Sequence, residues 1–127
     1  MNRIVRDWMT PSPSSVSPDL PLDEVVDRMY QGSFRHVPVV EGGRVVGLIS
    51  YTDLIRVGFG DDLPSNEGCA RDVMVGPVAT TTPQTPLAEA ASLMLAEKYG
   101  CLPVVQGDQL VGILTDTDFV RGVAEGR

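Results

Sequence analysis

The chain has 127 residues, enough for one medium domain or two very small ones. Ten Lys and Arg against 17 Asp and Glu give a formal charge of −7, without the basic footprint that duplex binding or an anionic membrane surface calls for. No apolar run approaches the roughly 20 residues of a bilayer span, the first residues lack the apolar stretch of a secretory signal, and two cysteines with one histidine offer neither a disulfide framework nor a zinc spacing. The expectation is a soluble, cytoplasmic protein that binds no nucleic acid, membrane or metal.

After Met9-Thr10-Pro11 the chain is rich in Pro and Ser and is expected to run extended to Pro18, with a short strand at Ser14–Ser17. Pro21 suits the first helical position, where its missing N–H is not needed. Leu22, Val25, Val26 and Met29, at i, i+3, i+4 and i+7, predict a helix with one buried stripe. Val37-Pro38-Val39-Val40, the turn Glu41-Gly42-Gly43 and Val45–Ile49 read as a hairpin, with the proline where it owes the ladder no hydrogen. Ser50 opens a short helical pattern that ends near Arg56, and Phe59 to Cys69 reads as a linker.

The same series then returns. A short strand is expected at Ala79–Thr82, with Thr85 as N-cap and Pro86 at the first helical position. Leu87, Ala90, Ala91 and Met94 form the helical stripe, and Leu102-Pro103-Val104-Val105, Gln106-Gly107-Asp108 and Leu110–Leu114 form the hairpin. Thr115 opens the last helix, which is expected to end near Arg121.

A shift of 65 aligns the two series without a gap, with 17 identities in the 51 positions from Arg6 to Arg56. Unrelated segments of ordinary composition would give about three or four. Units of about 60 residues bury too little surface to be robust alone, and two copies are too few for a solenoid. The expected organisation is repeat 1 at 1–59, a linker at 60–69 and repeat 2 at 70–127, forming one domain with internal pseudo-twofold symmetry.

A tandem βαββα unit with Met-x-x-Pro near its start, an apolar residue and Pro-Val-Val in its middle and Gly-h-h-[Ser/Thr]-x-x-Asp at its end (h, apolar) resembles the CBS domain. Two copies resemble the CBS pair, or Bateman module, over nearly the whole chain. The resemblance implies an α/β (α+β) fold and a disc-like pair that often forms a homodimer through its helices. It also implies clefts between the repeats for an adenosyl ligand such as AMP, ADP, ATP or S-adenosylmethionine. Such modules usually regulate something else, here a separate protein, and require no cofactor of their own.

Ser50-Tyr51-Thr52-Asp53 and Thr115-Asp116-Thr117-Asp118 carry the main functional expectation. In family members that bind nucleotides, the final Asp accepts hydrogen bonds from the ribose hydroxyls, and the Ser or Thr three before it contacts ribose or phosphate. A fixed carboxylate suits a vicinal diol, and a helix N-terminus offers free N–H groups to phosphate. The same pattern also reads as a capping box with no ligand at all.

In the family, the positions two and three before the strand proline often supply cations to a phosphate. Here they are His36 and Arg35, a proton-tunable donor beside a planar bidentate one. The second copy has Gly100 and Cys101 instead, with Lys98 as a partial substitute, so one site is expected to take phosphate better than the other. Ser17 and Thr82 match further contact positions, and Val16, Thr81, Val37-Pro38 and Leu102-Pro103 would wall the base. Two other readings stand beside this one: a scaffold that uses the pair only to dimerise, and an enzyme. The enzyme reading has little support, with no Walker-type loop, zinc spacing or nucleophile–base pair.

Overall fold

The computed structural model describes residues 3–56, 68–98 and 100–127. In chain order these form a 3₁₀ turn (Val5–Asp7), β1 (Thr10–Pro11), α1 (Leu22–Gly32), β2 (His36–Glu41), β3 (Arg44–Ser50), α2 (Tyr51–Arg56), α3 (Ala70–Val73), α4 (Leu87–Glu97), β4 (Cys101–Gln106), β5 (Gln109–Thr115) and α5 (Asp116–Ala124). Of the expected linker, only Gly68 and Cys69 fall within the described residues.

Both predicted helical stripes are realised, with Val26 and Ala91 half-buried at their edges. Leu22, Val25 and Met29 of α1 are buried, as are Leu87, Ala90 and Met94 of α4. A fully buried Leu, Val or Met contributes about 1.5–3 kcal/mol relative to leaving it in water. Each helix starts one residue later than its proline suggests. Pro21 and Pro86 are the N-caps, and their carbonyls accept the first helical hydrogen bonds, from Glu24 and Glu89. Thr85 therefore does not cap α4. Its Oγ1 lies 2.7 Å from Thr82 Oγ1 and also accepts the Thr82 N–H, holding the turn that leads into the helix.

Both hairpins form, β2 with β3 and β4 with β5, each antiparallel with a register shift at the equivalent place, Val39/Val40 and Val104/Val105. The first turn needs left-handed backbone at Gly42 and Gly43 (φ 60° and 83°), which glycine adopts without a Cβ clash. The strands expected at Ser14–Ser17 and Ala79–Thr82 shrink to single parallel bridges, Val16 to Val39 and Thr81 to Val104. Pro18 and Pro83, which follow closely, have no N–H with which to extend the pairing.

The chain divides into two compact units that are offset from the sequence repeats. One is Ser14–Val78; the other combines Met1–Pro13 with Ala79–Arg127. Inside the second unit, Val5 N donates to Thr85 O and Arg6 N to Pro83 O, at 3.0 and 2.9 Å. Inside the first, Ala70 N and Arg71 N make the equivalent bonds to Leu20 O and Pro18 O, each at 2.9 Å. The repeated Met–Gly pairs follow the same rule. A Cβ on Gly112 would collide with Met9, and one on Gly47 with Met74. Each hairpin is thus covered by the opening segment of the other repeat. The unit around β2–β3 buries Val16, Leu22, Val25, Met29, Val37, Val39, Ile49 and Leu54 together. The unit around β4–β5 buries Val5, Trp8, Leu87, Met94, Leu102, Val104 and Leu114.

Candidate functional site

Each unit assembles its own set of candidate residues at the end of its hairpin away from the turn. In the Ser14–Val78 unit, Val16 N donates to Pro38 O at 3.0 Å and Val16 O accepts from Val40 N at 2.8 Å, which ties the 16–17 segment to β2. His36 is the register partner of Ser50, and Val37 of Ile49. Arg35 O accepts the Tyr51 N–H at 2.8 Å, binding the entry of β2 to the start of α2. Val16, Ser17, Arg35, His36, Val37, Pro38, Ser50, Thr52 and Asp53 are therefore neighbours in the fold. Val16, Val37 and Pro38 are buried, His36, Ser50 and Asp53 half-buried, and Ser17, Arg35 and Thr52 exposed.

The second unit repeats this frame. Thr81 N donates to Pro103 O at 3.0 Å, Val105 N to Thr81 O at 2.8 Å, and Asp116 N to Gly100 O at 3.2 Å. Cys101 pairs with Thr115 and Leu102 with Leu114 across β4–β5. Thr81, Cys101, Leu102 and Pro103 are buried, whereas Thr82 and Thr117 are exposed. Lys98 sits at the end of α4 in left-handed backbone (φ 60°), exposed to solvent.

The capping role of both motifs is realised. Ser50 N donates to Asp53 Oδ2 at 3.1 Å while Ser50 Oγ accepts the Asp53 N–H at 3.0 Å. Thr115 N donates to Asp118 Oδ2 at 2.8 Å, completing a capping box at α5. A cap uses one carboxylate oxygen and leaves the other for a different partner.

Asp118 of the second unit has further partners within the protein. Asp118 Oδ1 accepts from Thr10 Oγ1 at 3.0 Å and from Arg121 Nη1 at 2.9 Å. The Asp118 side chain is only 1% exposed, and these donors satisfy oxygens that water does not reach. Thr10 escaped the sequence reading. Its signal was a mismatch in the duplication: the equivalent residue of the other copy is Val75.

Electrostatics also separate the two sets. Burial pushes the Cys101 thiol well above its ordinary value of 9.0, and the nearby Asp118 and Asp116 carboxylates add to the effect. A neutral thiol thus stands where the other repeat has His36. Cys101 is expected to resist thiol reagents near neutral pH in the native state. It also makes stability pH-dependent: the unfolded thiol ionises first, so stability is lost as pH rises past about 9. Comparing denaturant unfolding of the wild type and Cys101→Ser from pH 7 to 10 checks this; parallel pH dependences would contradict it.

The CBS domain family model matches residues 5–60 and 70–125. The chain belongs to the CBS domain family and carries two CBS repeats. It is similar to AcuB of Vibrio cholerae, a protein named for acetoin utilization: 35% identity and a TM-score of 0.86, covering 98% of this chain and 93% of that one. It is also similar to CBSX2, a CBS-pair protein of Arabidopsis thaliana. CBSX2 in complex with AMP is 27% identical with a TM-score of 0.83, and 96% of each chain is covered. A further relative is the zinc metalloprotease MJ0392 of Methanocaldococcus jannaschii, 34% identical over 119 residues, which are 94% of this chain. The chain spans 32% to 47% of the length of MJ0392 and two other relatives from that organism. Among the described residues, no helix is long and apolar enough to cross a membrane.

Proposed function

We propose that the chain is a regulatory, non-catalytic module that binds an adenosine-containing ligand, AMP, ADP, ATP or S-adenosylmethionine, through Val16, Ser17, Arg35, His36, Val37, Pro38, Ser50, Thr52 and Asp53. The observation that carries this reading is the placement of Asp53 beside the β2 entry. Asp53, half-buried at the start of α2, follows Ser50, the register partner of His36, by three residues, and Arg35 O accepts the Tyr51 N–H between them. That set combines an acceptor for a vicinal diol with cationic donors for a phosphate. The similarity to AMP-bound CBSX2 supports it. Binding would act on a separate protein in the cytoplasm through different affinities for two states of the module.

Thermal denaturation against AMP, ADP, ATP, S-adenosylmethionine and GTP tests the reading. A ligand at 100 times its Kd stabilises the native state by about 2.7 kcal/mol, a shift of roughly 5 to 15 °C for a domain of this size. Arg35→Ala should remove most of the response to AMP and leave that to adenosine unchanged, because only AMP carries the phosphate. Equal losses for both ligands would take Arg35 out of the phosphate site.

A second reading, a dimerisation scaffold, is favoured by the apolar residues left exposed at equivalent places on α1 and α4, Tyr30 (83% exposed) and Leu95 (81%). Self-association of two copies through these helices is compatible with ligand binding. Sedimentation equilibrium is expected to give twice the chain mass, and a monomer mass at tens of micromolar would remove the dimer from both readings. A dimer with no thermal response to any of these nucleotides would favour the scaffold alone.

A further inference from the structure

We infer that Thr10 is a built-in competitor for Asp118: a ligand diol engages this carboxylate by taking the place of the Thr10 hydroxyl, so that filling the second set releases β1. This rests on the ligand reading above, carried over to the second set, where Thr81, Leu102, Pro103 and Thr115 repeat the frame of the first. Both oxygens of Asp118 are engaged. Oδ2 accepts from Thr115 N at 2.8 Å and from Thr115 Oγ1 at 3.3 Å, and Oδ1 accepts from Thr10 Oγ1 at 3.0 Å and from Arg121 Nη1 at 2.9 Å. With the Asp118 side chain 1% exposed, a new hydroxyl must displace a donor already there.

The donors differ in what their removal costs. The Thr115 N–H belongs to the capping box that starts α5, and losing Asp118 Oδ2 would undo that cap. Arg121 is the positive charge paired with the buried carboxylate, and breaking such a pair costs far more than trading one neutral donor for another. Thr10 gives a neutral O–H, the same kind of donor as a ligand alcohol, so the bond broken and the bond made are matched. Thr10 is itself exposed, and its freed hydroxyl can turn to water.

The strand that carries Thr10 is weakly held. β1 is two residues long and exposed along its length, pairing Thr10 with Ile113 and Pro11 with Gly112. Pro11 has no N–H to give β5, and the backbone bond that follows, from Ser12 N to Val111 O, is 3.2 Å long. Displacing the Thr10 hydroxyl from Asp118 is therefore expected to loosen residues 10–12 while Trp8 stays in the core. The other compact unit begins at Ser14, so the segment set free is the one that leads into it. Thr10 is thus a positioning residue that acts through Asp118. It touches no ligand, yet it sets the affinity of the second set and what filling that set changes.

Amide hydrogen exchange read by mass spectrometry, with adenosine as the probe, tests this. Adenosine suits the second set because Gly100 stands where the other copy has Arg35, and Asp116 Oδ2 lies 3.0 Å from where a Cβ on Gly100 would be, a poor corner for a phosphate. In the wild type, saturating adenosine is expected to slow exchange at residues 115–118 and to speed it at Ser12. A dideoxyadenosine that lacks the vicinal hydroxyls should leave Ser12 unchanged. Titrated through the protection of residues 115–118, Thr10→Val should bind adenosine about tenfold more tightly than the wild type, the worth of one hydrogen bond to a charged group. Thr10→Ser, which keeps the hydroxyl, should match the wild type. Slower or unchanged exchange at Ser12 on saturation, or equal affinities of the wild type and Thr10→Val, overturns the inference. So does a response confined to residues 35–53 in both proteins, which leaves the reading of the first set intact. No response to adenosine or AMP in either unit removes the ligand reading itself, and the competition at Asp118 with it.

Discussion

Trp8→Ala is expected to cost about 3–5 kcal/mol, the range for truncating a large buried aromatic, and to loosen the unit built on residues 79–127 while sparing 14–78. Trp8 is buried in the core around β4–β5. Its ring centroid lies 5.9 Å from that of Phe119 at an interplanar angle of 43°, and the Arg3 guanidinium sits 5.6 Å above it. The ring also occupies the space a Cβ on Gly122 would need, so α5 approaches it as only a glycine face can. Removing the indole leaves a cavity lined by parts of the chain more than a hundred residues apart in sequence.

The equivalent residue of the other unit is Val73, a partly buried side chain packed against that unit's core. Val73→Ala should therefore cost much less. Denaturant unfolding measures the two costs, and hydrogen exchange locates them. For Trp8→Ala, protection should fall in β4, β5 and α5 and persist in β2 and β3. Loss confined to 14–78, or equal costs for the two substitutions, would contradict the assignment of the N-terminal segment to the second unit.

Asp53→Ala carries the second large expectation. A hydrogen bond to a charged acceptor is worth about 1.5–3 kcal/mol, so affinity for AMP should fall by about 10- to 150-fold. The same substitution removes the carboxylate that accepts the Ser50 N–H, at a cost of about 1 kcal/mol of stability. The two effects separate because the cap concerns folding and the diol concerns binding. Asp53→Asn retains an oxygen that can accept from Ser50 N and loses the charge. It should recover most of the stability and little of the affinity. Recovery of both would reduce Asp53 to a cap.

Much of this was readable from the sequence, for physical reasons that differ by element. The α1 and α4 stripes were legible because burial on one face of a helix imposes a 3.6-residue period on Leu22, Val25, Met29 and their copies. The hairpins were legible because a glycine turn between β-branched runs admits few alternatives. The capping boxes follow from local spacing, and both formed.

The composition of the units was not legible. Periodicity says that Met9 matches Met74 and Gly47 matches Gly112, but it does not say which methionine lies on which glycine. Only long-range packing decides that Met9 covers Gly112 and Met74 covers Gly47. The bond from Thr10 to Asp118 spans 108 residues and exists in one copy only. Reading the repeat for what is shared hides it; reading it for where it breaks, Thr10 against Val75, would have exposed it. The helix starts were off by one because Pro21 and Pro86 serve through their carbonyls, a role that sequence does not separate from the first helical position.

The most direct measurement is isothermal titration of the intact chain with AMP, run on the wild type and on Asp53→Ala. The expected result is saturable binding by the wild type, weakened by an order of magnitude or more in the variant while its circular dichroism stays native. Absence of binding by the wild type, or equal affinity in the two proteins, would contradict an adenosyl site at Asp53.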